Sequence, residues 1–155
     1  MYNTILLATA LQKWERYSAH ALAARDVALV MAQSTSKHLH VLSAYEYDHV
    51  RPTELPVEIA AKLREEQTQR TDSLMAQKIA AYIAPLKAEG LTVESILRVG
   101  NPRDVIVQVA TDLEADLLII GSHSKRGFLD IALGGTAQQI SKYAPCPVVM
   151  VSPKH

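Results

Sequence analysis

The chain has 155 residues, 48% of them hydrophobic and 21% charged, and its sixteen basic and sixteen acidic side chains cancel. That length points to one domain, residues 1–155, with a core that buries roughly 70% of the unfolded surface. A net charge of zero argues against broad attraction to nucleic acid or an anionic membrane, and a single cysteine, Cys146, rules out an intramolecular disulfide and fits a reducing compartment.

"TILLATA", Thr4 to Ala10, is a short continuous apolar run of the kind a strand buried on both faces shows. It has no basic segment ahead of it and does not read as a signal sequence. No apolar stretch nears the ~20 residues of a membrane helix, so no membrane insertion is expected and a soluble cytoplasmic domain is. "LQKWERYS" reads as a connection ending on an N-cap, Ser18. Ala19, Leu22, Ala23, Val27, Val30 and Met31 then recur at helical spacing and predict a buried helix face. "HLHVLSAYE", His38 to Glu46, is the second strand, and the prolines of "YDHVRPTELP" mark a loop.

A long helix is predicted from Val57 to Leu86, with Leu63, Gln67, Thr71, Leu74, Met75, Ile79, Ile83 and Leu86 on one face. Its charged first half, "KLREEQTQR", should be solvated. Pro85 should kink or end it, and Gly90 closes the connection. "LTVESILRV" is the third strand. Asn101 caps the next helix, Pro102 suits its first position, and Asp104 favours its positive end. Val105, Ile106, Val109, Ala110 and Leu113 form its apolar stripe. "ADLLIIG" is the fourth strand, a short helix covers Thr136 to Tyr143, and "CPVVMVS" is the last strand. Five strands alternating with four helices predict an α/β fold with an open, doubly wound parallel sheet.

In such sheets ligands bind beyond the carboxyl ends of the strands, where the winding reverses. If the first and fourth strands are neighbours, "ATALQ" and "GSHSKRG" line that crevice. Four of the six glycines, Gly121, Gly127, Gly134 and Gly135, fall between Ile119 and Gln139. Gly121 lets backbone approach closely, and Gly134 and Gly135 precede a helix whose free amides attract anions. Ser122, Ser124 and Thr136 add hydroxyls, and Lys125 and Arg126 add positive charge. The same glycines also suit ordinary turns, and spacing alone leaves both readings open.

"ADLLIIGSHSKRGFLDIALGGTAQQISKYAPCPVVMV", with "ILLATA" and "RVGNPRDVIVQVA", resembles the universal stress protein family over nearly the whole chain. The resemblance implies a sheet order of 3-2-1-4-5 and an adenine nucleotide ligand, ATP or AMP, with Mg2+ accompanying it. It aligns Thr9, Ala10, Ala44, Ile120, Gly121, His123, Ser124, Gly134, Gly135 and Thr136 with the family's contact positions. Against the ATP-binding pattern G-x2-G-x9-G-[S/T], Gly121 and Gly134 match, Ser124 replaces the second glycine, and Gly135 holds the Ser/Thr place. Ala10 stands where ATP-binding relatives usually carry an aspartate that contacts the nucleoside. The resemblance also implies a homodimer through the last strand, Val148, Val149, Met150 and Val151.

No catalytic residue is assigned. Ser122 and His123 are sequence neighbours, and no strand-end aspartate completes a triad with them. No metal ligand is assigned either: His38 and His40 share one strand face, but no third ligand is evident. Cys146 reads as a small residue leading a buried strand. Trp14 and Phe128 fit either core anchors or binding surface. A regulatory nucleotide-binding domain is the leading functional reading. The alternatives are a dimeric interaction module that has lost the nucleotide, motivated by Ala10, Ser124 and Gly135, and a nucleotide-hydrolysing enzyme.

Overall fold

A computed structural model describes residues 2–11, 17–47, 54–121 and 135–153, with Gly135, Thr136 and Ala137 described by backbone alone. Five strands, β1 (Ile5–Ala8), β2 (His38–Tyr45), β3 (Thr92–Val99), β4 (Leu117–Gly121) and β5 (Val148–Val151), form one sheet in the order β3-β2-β1-β4-β5. Every pairing is parallel. The described helices are α1 (Ala19–Gln33), α2 (Val57–Ala88), α3 (Pro102–Asp112) and α4 (Gly135–Tyr143). The expected α/β class and strand order are those observed.

Strand alternation explains the two layers. Ile5 and Leu7 of β1, Leu39 and Val41 of β2, and Leu117 and Ile119 of β4 pack with buried residues of α1 and α2. Their neighbours Leu6, Ala8, Leu42, Leu118 and Ile120 pack on the other face with α3 and α4. The sheet is thus covered on both sides, which is why β1 and β4 read as unbroken apolar runs.

The buried face of α1 is not the one its bulkier residues suggest. Ala21, Ala24, Ala28 and Ala32 are buried, whereas Leu22 is 37% and Val30 62% exposed. Those four alanines step by three and four, so they form a row of minimal bulk along which the helix lies close to the sheet. Ala23, Val27 and Met31 flank that row and are partly buried. The same closeness explains Gly121: a Cβ there would sit 3.0 Å from the His20 carbonyl oxygen.

In α2 only Met75, Ile79, Tyr82, Ile83 and Leu86 are buried, so the charged first half stands in solvent as its composition implies. Pro85 does not stop the helix, which continues to Ala88. It removes one intrahelical bond, the one its missing N–H would give to the Ala81 carbonyl. The end is made by Gly90 at φ 90°. Leu91 N–H donates to the Leu86 carbonyl (3.3 Å) and Gly90 N–H to that of Lys87 (3.0 Å). This is a Schellman closure, sealed by the buried Leu86 and Leu91.

Both predicted caps form. Ser18 Oγ accepts from Ala21 N–H at 3.1 Å, and Asn101 Oδ1 accepts from Arg103 N–H at 2.9 Å. Val105 and Leu113 of the α3 stripe are partly buried around Ile106, Val109 and Ala110. No described helix is long and apolar enough to cross a membrane.

Candidate functional site

The strand order reverses between β1 and β4, because the chain leaves β1 toward β2 on one side and reaches β4 and β5 on the other. At the carboxyl ends of these two strands Thr9, Ala10 and Gly121 line one small cleft. Ser18, His20 and Ala21 complete its lining. They belong to the cap and first turn of α1, so the positive end of that helix opens on the cleft. The sequence marks Ser18 only as a cap; that cap and cleft coincide is a consequence of how α1 returns over β1.

The cleft has a volume of about 20 Å³. That is room for a water and not for a base. Among the described residues no carboxylate lines it, and Ala10 offers only a methyl group. Thr9 is 8% exposed, and its Oγ1 is enclosed with no geometric hydrogen-bond partner among the described residues. Ser43 Oγ, on β2, is enclosed in the same way. The phenol of Tyr82 donates to the Ala21 carbonyl at 2.6 Å and braces the first turn of α1 from beneath. Burial pushes the Tyr82 hydroxyl up to about 12, while an interaction with the Thr9 hydroxyl pulls the other way.

The remaining expected contacts divide. Ile120 is buried at 5% exposure within the α3–α4 core layer. Ala44 sits half-buried on β2, opposite Arg98 of β3, and does not line the cleft. Gly135 and Thr136 lie in the first turn of α4. Ser122, His123, Ser124, Lys125, Arg126 and Gly134 lie outside the described residues, as do Trp14 and Phe128. The N-terminal region of α3 reaches α4 through Gln139 Nε2, which donates to Asp104 Oδ1 at 3.2 Å.

Beside the crevice end of β2, Tyr45 and Tyr47 both donate to Asp72 Oδ1 at 2.6 Å and so tie the sheet to α2. Elsewhere, burial and then the charge of Asp116 push the Cys146 thiol up, the opposite of what an activated nucleophile needs. Sequence reasoning also missed Glu94, which lies beside His38 and His40. Only the β2–β3 register pairs it with them, so no local signal reveals it.

A family model described as the universal stress protein family matches residues 1–152. The universal stress protein in the QAH/OAS sulfhydrylase 3′ region of Thermus aquaticus is 29% identical over 151 residues, 97% of this chain and 99% of that one. Universal stress protein MJ0577 of Methanocaldococcus jannaschii is 31% identical over 98 residues, 63% of this chain and 56% of its own. The solved structure of MJ0577 matches with a TM-score of 0.76 at 24% identity, covering 100% of this chain and 99% of that one. A family protein from Arabidopsis thaliana, solved with AMP bound, matches with a TM-score of 0.66 at 19% identity over 98% and 92% of the two chains. At these identities the two structures speak for the fold.

Proposed function

The chain belongs to the universal stress protein family, and from that premise we propose that it is a single-domain stress-response protein whose crevice binds an adenine nucleotide, ATP or AMP, as a regulatory ligand. The observation that carries this reading is the gathering of Thr9, Ala10 and Gly121 with the amino end of α1 where the strand order reverses. The Arabidopsis relative with AMP bound supports the choice of ligand. Ser122, His123, Ser124, Lys125, Arg126, Gly134, Gly135 and Thr136 would surround ribose and phosphates, with Mg2+ entering alongside the triphosphate. Ala44 and Ile120 would flank the adenine.

Ala10 sets the expected strength. It cannot accept a hydrogen bond from the nucleoside, and one lost charge-assisted bond costs about 1.5–3 kcal/mol. Calorimetry and thermal shift with ATP, ADP and AMP test the proposal, alongside identification of any small molecule released on denaturation. Binding of one nucleotide per chain is expected. No binding at millimolar nucleotide and none released would refute it.

A second reading rests on Ala10 itself: a dimeric module, acting in the cytoplasm, that has lost the nucleotide. β5 stands at the sheet edge with Met150 40% exposed. Pairing with a second β5 across a two-fold axis would cover that edge. Sedimentation at several concentrations distinguishes a dimer from a monomer, and nucleotide copurifying one-to-one would reject the module reading.

A further inference from the structure

At the other end of the sheet, His38 and His40 stand at the first and third positions of β2 and Glu94 at the third of β3. His40 and Glu94 are direct partners in the parallel register. Strand period places His38 on the same face, two residues earlier. His38 Nε2 lies 3.0 Å and His40 Nε2 2.7 Å from the same Glu94 oxygen, Oε2. The two imidazoles stack with centroids 4.8 Å apart and planes 28° from parallel. One carboxylate oxygen thus collects two ring nitrogens, where a cross-strand ion pair needs only one. The three candidate donor atoms all fall within 4.8 Å of one another.

We propose that His38, His40 and Glu94 form a binding site for a zinc-type divalent transition-metal ion. Two imidazole nitrogens and one carboxylate oxygen are a donor set that suits Zn2+ and Co2+ and disfavours Ca2+ or Mg2+. Donors around a tetrahedral ion with bonds of ~2.0 Å stand about 3.3 Å apart. The two nitrogen–oxygen separations need to open by only tenths of an ångström, and the two imidazole nitrogens, within 4.8 Å of each other, close on the ion by at most about 1.5 Å. The His38 and Glu94 side chains are 37% and 57% exposed, which leaves a fourth position open to water. His40 is more enclosed, at 15%, and anchors the site to the sheet.

Binding requires each Nε2 to present its lone pair, so the proton now given to Glu94 moves to Nδ1 or to solvent. His40 Nδ1 is enclosed, with no hydrogen-bond partner among the described residues. A ligating histidine whose other nitrogen lacks support binds metal about 10–100-fold more weakly. The site is therefore an exchangeable one that responds to free metal, rather than a permanent structural one. It bridges β2 and β3, and occupancy would clamp the edge strand.

The untagged chain, stripped with a chelator, is titrated with ZnCl2 and CoCl2. One ion per chain at micromolar metal is expected, with a visible Co2+ absorption band typical of four-coordination and a raised unfolding temperature. His38→Ala and Glu94→Gln change exposed side chains and should keep the wild-type circular dichroism. Each should weaken Zn2+ binding by at least about 10-fold and remove the Co2+ band. Absence of saturable uptake in the wild type, or uptake that survives either substitution unchanged, overturns the assignment.

Discussion

Gly121 carries two demands that can be separated. Packing alone disfavours a side chain, since a Cβ would crowd the His20 backbone at 3.0 and 3.2 Å. Gly121→Ala should therefore destabilise the fold by about 1–3 kcal/mol even without any ligand, measured by urea unfolding. An unchanged midpoint would leave close approach to a ligand as the reason for the glycine. Ala10 gives the converse test. Ala10→Asp places a carboxylate acceptor at an exposed position just beyond β1, where the family resemblance leads one to expect it. It should tighten nucleotide binding by about 10- to 100-fold by calorimetry, the gain from one charge-assisted hydrogen bond. No gain would count against nucleoside contact at this position. Neither role is legible from residue type alone, because a glycine looks the same whether helix or phosphate lies against it.

The helix ends show what local chemistry can and cannot predict. Gly90 ends α2 with the backbone conformation glycine favours, and the sequence announces it. The end of α3 has the same closure without the glycine. Ala115 N–H donates to the Ala110 carbonyl at 2.9 Å while Glu114 holds φ at 52°. A non-glycine residue there pays steric strain of about 1–2 kcal/mol, and its exposed side chain recovers little. Glu114→Gly should stabilise the protein by about 0.5–1 kcal/mol after glycine's greater unfolded freedom is counted. Differential scanning calorimetry reads this as a raised midpoint; a lowered one would show that Glu114 contributes more than strain. At the same scale, α1 shows why its face was misjudged. Hydrophobicity weights Leu22 and Val30 above alanine, yet close helix–sheet contact selects the smallest residues.

Across the molecule, Asp72 joins α2 to the crevice end of the sheet. Hydrogen bonds from Tyr45 and then Tyr47 hold its carboxyl below the usual carboxylate range. On acidification the unfolded chain therefore takes up this proton first. The contribution is complete above about pH 4 and is lost as pH falls through the folded pKa. Burial and then the Asp72 hydrogen bond push the Tyr45 hydroxyl upward, so a second loss begins as pH rises past about 10. Asp72→Asn should flatten the acid limb below pH 4, read from denaturation midpoints across pH. Parallel wild-type and variant profiles would show that the carboxylate does not couple to folding.

The sequence by itself determined the α/β class, the strands and helices, and the helix caps at Ser18 and Asn101. Those follow from alternation, helical spacing and capping chemistry, all of which act within about ten residues. The strand order, and with it the place where the winding reverses, came from the family resemblance rather than from element order. Tertiary structure alone decided which face α1 buries, that Gly121 must yield to His20, and that Glu94 of β3 meets His38 and His40 of β2. Each of those depends on the distance or register between elements far apart in the chain. Register is set by the whole buried sheet at once, and a cross-strand neighbour 54 positions away from His40 leaves no trace in local sequence.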